Sequence, residues 1–159
     1  MIKNKYRIIE IVLVVLLIAF IVFLFISRSG GTKKRVKEIS APVIKAMDVS
    51  EMTRKTAADA TKTFGFDTEK EEGILYYNND NIMNCSELLI VKLKNPDDAE
   101  EFTALIEDRV ENQKNLFKNY APDQYSLLKS SIIETSGNVV FYCTSPKADE
   151  VYAAFKKAL

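Results

Sequence analysis

Few side chains in this sequence can do chemistry, and most of those that can lie between Glu87 and Tyr125. In "FTALIEDRVENQKNLFKNY", Phe102 to Tyr120, Arg109 and Gln113 stand four residues apart. A helical advance of roughly 100° per residue gathers Phe102, Leu105, Ile106, Val110, Leu116 and Phe117 into one apolar stripe. The same advance brings Arg109, Gln113 and Tyr120 to the middle of that stripe. A guanidinium on a face meant for burial needs a carboxylate or several carbonyls, or its desolvation is not offset. Glu87 can supply the carboxylate. It opens "ELLIVKLK" and shares parity with Leu89, Val91 and Leu93, so a strand here points all four to one face. The spacing predicts a Glu87–Arg109 pair, with Gln113 and a tyrosine hydroxyl completing its hydrogen bonds. Tyr120 and Tyr125 belong to the same candidate cluster. Two roles fit such a cluster: a polar pin fixing helix to sheet, or a pocket where Arg109 takes an anionic ligand or a peptide carboxylate.

Other chemistries lack their residues. The chain has no histidine, which removes Ser-His nucleophilic catalysis and histidine metal sites. Its two cysteines, Cys85 and Cys143, form no CxxC; they are either two buried thiols at strand ends or one disulfide. "NNDNIMN" lacks the spaced acids of a calcium loop, and "DTEKEEG" reads as a solvated acidic loop. No glycine-rich phosphate loop occurs, so neither metal nor cofactor is expected. Tyr76, Tyr77, Phe141 and Tyr142 read as sheet packing.

The elements that must position the cluster follow from period and punctuation. Val36, Ile39, Val43 and Met47 predict a first helix that tolerates Pro42 by a kink or a late start at Ser40. A second helix is expected from Thr53 to Phe64, stopped by Gly65. Strands are expected at 73–78 and 87–94, joined by an Asn-rich turn. Asn95-Pro96-Asp97-Asp98 opens a long helix reaching Tyr120, with Pro122 as its stop and a short helical turn at 124–128. Residues 130–144 read as a hairpin around Ser136-Gly137-Asn138, and Ser145-Pro146 starts a final helix. The expected fold is α+β in the order α-α-β-β-α-β-β-α. Its four-stranded, mostly antiparallel sheet would carry the helices on one face.

Ahead of this domain, Ile11 to Ile26 holds no polar residue, and extending it to Ile8 gives a segment long enough for a bilayer. The expected organisation is a basic head at 1–7, a transmembrane signal-anchor at 8–27, a basic Gly/Ser linker at 28–37 and a domain at 38–159. A cleaved signal peptide is the competing reading, with a run longer than the usual apolar core of such signals. Lys and Arg counts on the two sides favour a cytoplasmic domain, whereas a signal-anchor whose short head stays inside favours the opposite side. Eight of the 22 Lys and Arg residues but only one of the 22 acids precede Glu38. The remainder thus holds 14 basic against 21 acidic side chains, net −7, and nucleic acid is excluded as its partner.

The runs "SELLIVKLK", "RVENQKNLFKNYAPDQYSLLKSSIIETSGNVVFYCTS" and "ADEVYAAFKKAL" resemble a bacterial family named only as domain of unknown function 4358. The resemblance covers Glu38 to Leu159 and is strongest from Ser86 onward. It includes Glu87, Arg109, Gln113, Phe117, Tyr120, Pro122, Gln124, Tyr125 and Gly137. It implies a small extracytoplasmic domain, in a family commonly made of exported lipoproteins. No lipobox cysteine lies near the apolar segment of this chain, so a protein anchor would replace the lipid one. The resemblance carries no activity. The expectation is therefore a bacterial cell-membrane protein held in the bilayer by 8–27. Its domain would bind or scaffold a protein or small ligand at the cell surface without catalysis. A sensor built on Arg109 is the alternative, and a hydrolase using carboxylates alone comes third.

Overall fold

The computed structural model describes residues 11–22 and 31–159. The chain divides at Gly30/Gly31 into two compact units. In the first, residues 11–22 form a helix, α1, of apolar side chains that are almost all exposed. Among the described residues no helix is long and apolar enough to cross a membrane. The expected head at 1–7 lies outside the described residues, as do parts of the expected anchor at 8–27 and linker at 28–37.

The second unit is a five-stranded antiparallel sheet between two layers of helices. Its elements are α2 (Val36–Met47), β1 (Thr53–Lys55), α3 (Ala57–Phe64), β2 (Glu71–Asn78), β3 (Glu87–Leu93), α4 (Ala99–Phe117), α5 (Pro122–Lys129), β4 (Ile132–Ser136), β5 (Val139–Thr144) and α6 (Ala148–Ala158). The strand order is β1-β2-β3-β5-β4. Gly137 makes the β4–β5 turn with φ of 57°, a conformation glycine adopts without the penalty a Cβ brings.

Two expectations need correction. The sheet has five strands, because Thr53–Lys55 pairs with Tyr76–Asn78 as a short edge strand. Helix formation waits for Thr56, whose hydroxyl accepts from the Asp59 amide while Asp59 returns a bond to the Thr56 amide. A threonine cap three residues further along outcompetes helix propensity in the residues before it.

The helices also do not share one face. Ala60 and Phe64 of α3 and Ala99, Phe102, Ile106 and Val110 of α4 pack on the side of Tyr76, Leu89, Val91, Leu93, Val140 and Tyr142. Ile39, Val43 and Met47 of α2 and Val151 and Phe155 of α6 pack on the other side, with Leu75, Leu88, Ile90, Val139, Phe141 and Cys143. Every residue of β3 and of β5 is buried. Strands covered on both faces read as continuous apolar runs rather than alternation, and "ELLIVKL" and "VVFYC" are such runs. Lys92 is the exception that hid this: it sits on the α2 and α6 side and is nonetheless buried, paired with Glu72 at 2.9 Å. α2 continues through Pro42 from Val36, without the late start at Ser40.

Candidate functional site

Glu87 begins the central strand and is 1% exposed. Its register partners are Asn78 on β2 and Thr144 on β5; two residues along, Leu89 lies between Tyr76 and Tyr142. Side chains at every second position share a face, so the pairing puts Asn78, Tyr76, Tyr142 and Thr144 around one carboxylate. α4 lies across this face and lowers Arg109 onto it.

The carboxylate is saturated. Arg109 Nε donates to both oxygens at 3.1 Å, and Arg109 Nη2 donates to Oε1 at 2.9 Å. The Tyr76 hydroxyl donates to Oε1 at 2.5 Å and the Tyr142 hydroxyl to Oε2 at 3.1 Å. Outer bonds orient those phenols: Thr144 Oγ1 donates to the Tyr142 oxygen at 2.9 Å, and Asn78 Nδ2 to the Tyr76 oxygen at 3.2 Å. Ser131 extends the chain to Thr144 at 2.6 Å. The Phe64 ring lies 5.2 Å from the guanidinium carbon, a cation–π contact that closes the site from α3.

Charge and burial set the protonation of these groups. Burial is the largest single influence on Arg109 and acts to lower its pKa, but the Glu87 charge and hydrogen bonds, with Tyr76 and Tyr142, together outweigh it, and the guanidinium is held charged more firmly than usual. Burial first, and then the Glu87 charge, push both phenols above their ordinary 10.0. Cys85 and Cys143 are free, buried thiols raised by burial to about 11 and about 12. They pack in separate clusters, Cys143 against α2 and α6 and Cys85 against Phe117 and Leu128.

The structure brings Glu87 and Arg109 together and leaves the other three candidates elsewhere. Gln113 does not bond the pair; its Oε1 is buried without a hydrogen-bond partner among the described residues. Tyr120 is 57% exposed and rests against the Phe117 ring, 5.4 Å between centroids. α4 ends at Phe117, so the helical phase that placed Tyr120 on the stripe no longer applies. Tyr125 belongs to α5 and packs beside Cys85, Phe117 and Leu128. The hydroxyls that do complete the site, from Tyr76 and Tyr142, had been read as packing. Their signal was parity across the strands, legible only once the register is known.

Arg109 is not sealed. Its side chain is 24% exposed against 2% for Glu87. It lines an open cleft of about 430 Å³ with Lys55, Asp59, Lys62, Thr63, Tyr76 and Asn78. Lys55 bonds Asp80 at 2.6 Å, while Lys62 is exposed and forms no ion pair among the described residues. Asp59 is occupied with Thr56, by which its pKa is lowered. Arg109 Nη1 makes no hydrogen bond among the described residues. The cleft thus presents three cations and one engaged acid, with amide and hydroxyl groups on its wall. Two of the three cations, Lys55 and Arg109, already carry acid partners, and Lys62 does not.

The model of the family described as "Domain of unknown function (DUF4358)" matches residues 45–145, more than half of the 159-residue chain. No curated protein and no solved structure matches the chain.

Replacing Arg109 with Met strands a buried carboxylate, so we expect about 3–5 kcal/mol of lost stability in urea denaturation. The double variant Glu87→Leu/Arg109→Met removes the charge as well and should recover most of that loss. Equal losses in the two would show that packing, not charge pairing, is what Arg109 supplies. A second expectation concerns alkaline pH. The raised phenol and thiol values mean that the folded chain keeps its protons longer than the unfolded one. Their contribution is therefore fully present below the ordinary values of 9.0 and 10.0 and is lost as pH rises through the folded ones. The Tm should fall above pH 9, and Tyr142→Phe should lower the Tm at neutral pH while making the alkaline fall shallower.

Proposed function

The chain belongs to the family of domain of unknown function DUF4358, a membership that brings no activity with it, and we propose that it is a membrane-anchored, non-catalytic binding domain. Its ligand would be a small anion or a peptide carboxylate held in the cleft beside Arg109. The observation that carries this reading is the division of labour on Arg109. Nε and Nη2 are fixed by Glu87, so the guanidinium is already oriented and already desolvated on one side. An incoming carboxylate meets a preorganised donor next to Lys55 and Lys62, and less rotamer entropy is lost on binding.

The anchor reading is supported by α1, whose exposed apolar residues continue in sequence through Ile26. The placement of the domain outside the cytoplasm is supported by the family resemblance and by a signal-anchor whose short basic head stays inside, against the Lys and Arg counts, which favour the cytoplasmic side. A non-catalytic role accords with the saturation of Glu87: all its bonding capacity is spent on Arg109, Tyr76 and Tyr142, so it has no free lone pair with which to act as a base.

The test is thermal shift on the full chain with citrate, inorganic phosphate and a short peptide presented with a free or an amidated C-terminus. We expect the free carboxylates to raise the Tm as mass action requires, and Lys62→Glu to abolish the rise without lowering the ligand-free Tm. Identical responses to the free and amidated peptides, together with none to citrate or phosphate, would overturn the cleft as the site. A reporter fused after Leu159 should be active only on the extracytoplasmic side; activity in the cytoplasm would overturn the location.

A further inference from the structure

A second basic cleft lies on the opposite face of the sheet, beside the N-terminal end of the folded unit. Gly31, its first residue, sits against Asn138 so closely that an added Cβ would come 2.9 Å from that side chain. Asn138 in turn bonds the Leu93 carbonyl at the exit of β3. Close by, Gly73 passes under Val36, where an added Cβ would lie 3.1 Å from a Val36 methyl. The N-terminal end of α2 and the outgoing end of β3 therefore meet at this edge of the domain. Between α2, β1, β2 and β3 runs a groove of about 750 Å³.

Its lining has two characters. Ala41, Ile44, Ile74 and Leu75 supply an apolar floor, while Arg35, Lys37, Arg54 and Lys92 supply four cations against the single acid Glu72. Arg35 is partnered by Glu38 and Lys92 by Glu72. Lys37 and Arg54 are exposed and form no ion pair among the described residues. Lys92 is the unusual member: a lysine of the central strand, 4% exposed, with its ammonium on the wall of the groove. An ammonium can donate three hydrogen bonds, and Lys92 has one partner at 2.9 Å. The domain as a whole is acidic, so a basic groove at this edge runs against its average charge.

We propose that this groove holds the headgroup of an anionic phospholipid, with the apolar floor receiving the first part of its acyl region. Charge complementarity supplies the attraction, and basic side chains next to a membrane segment are the usual means of holding acidic headgroups. Arg35 and Lys37 follow closely in sequence on the apolar run that ends at Ile26, so cations of this groove belong to the stretch that adjoins the proposed anchor. The proximity of lipid rests on the anchor reading given above; the groove and its charge do not.

Lysine acetylation read by mass spectrometry tests this on the full chain in nanodiscs. The discs would be of phosphatidylcholine alone, of phosphatidylcholine with phosphatidylglycerol, or of phosphatidylcholine with added inorganic phosphate. Lys37 should be modified several-fold more slowly in the phosphatidylglycerol discs only, and the protection should vanish at high salt. Lys118, exposed just past the far end of α4, serves as the control and should be modified equally in all three. Arg54→Glu should remove the protection of Lys37 while leaving the Tm in place. Equal rates in the first two discs would overturn the proposal. Protection by phosphate but not by phosphatidylglycerol would also overturn it and assign the groove to a free anion. Should the chain fail to enter discs, the anchor reading falls. The same Lys37 comparison with added anionic and neutral vesicles then still decides the groove.

Discussion

A carboxylate at the start of the central strand, covered on all sides, is the constraint around which this domain is arranged. Glu87 cannot be buried as an ion without donors, and the cost of leaving it short of them exceeds what any one neighbouring contact contributes. Its three direct bonding partners come from three elements that are far apart in sequence: Tyr76 on β2, Arg109 on α4 and Tyr142 on β5. Each must arrive in register, because a slip of one residue in either flanking strand turns its phenol to the opposite face. The cluster therefore reports correct assembly of sheet and helix at once. A merely apolar contact at the same place would tolerate small displacements; a bidentate guanidinium does not.

Part of this was legible in the residues. Arg109 drew attention because a cation stood in the middle of an apolar helical stripe, and strand parity selected Glu87 as its partner; both inferences need only local periodicity. Tyr76 and Tyr142 escaped because their role depends on which residues lie opposite each other across strands, a non-local fact that one sequence does not contain. Gln113 and Tyr120 were over-read for the reverse reason. The helical wheel continued past Phe117, where α4 stops, and it treated the stripe as equally buried along its length. Leu116, also on the expected stripe, is 64% exposed. The second layer of helices went unread because Lys92 and Lys94 looked like the markings of a solvated face. Lys94 is exposed, but Lys92 is buried with its own counter-ion, and the apolar residues Leu88 and Ile90 beside it were the better guide.

The two clefts divide the molecule chemically. The one beside Arg109 is polar, shaped by α3 and the outer strands, and its key cation is locked from behind by a buried acid. The one beside Lys92 is larger, has an apolar floor, and lies at the edge where the chain enters the fold. The sheet stands between them, the Lys92 groove on the α2 face and the Arg109 cleft on the α3 and α4 face.

The strand order carries a kinetic consequence. β2–β3 and β4–β5 are neighbours in sequence and can each close as a hairpin through a short loop. The seam between β3 and β5 joins the two hairpins, and across it Tyr142 reaches Glu87 from 55 positions away. Closing that loop costs chain entropy before any non-local contact rewards it, so the joining of the hairpins is the slow, high-contact-order step. α4 lies within the same intervening segment. Until it docks, Glu87 has no guanidinium and keeps its two phenols and the water over that face. Burial of the acid and arrival of its guanidinium are thus one event, since α4 brings both.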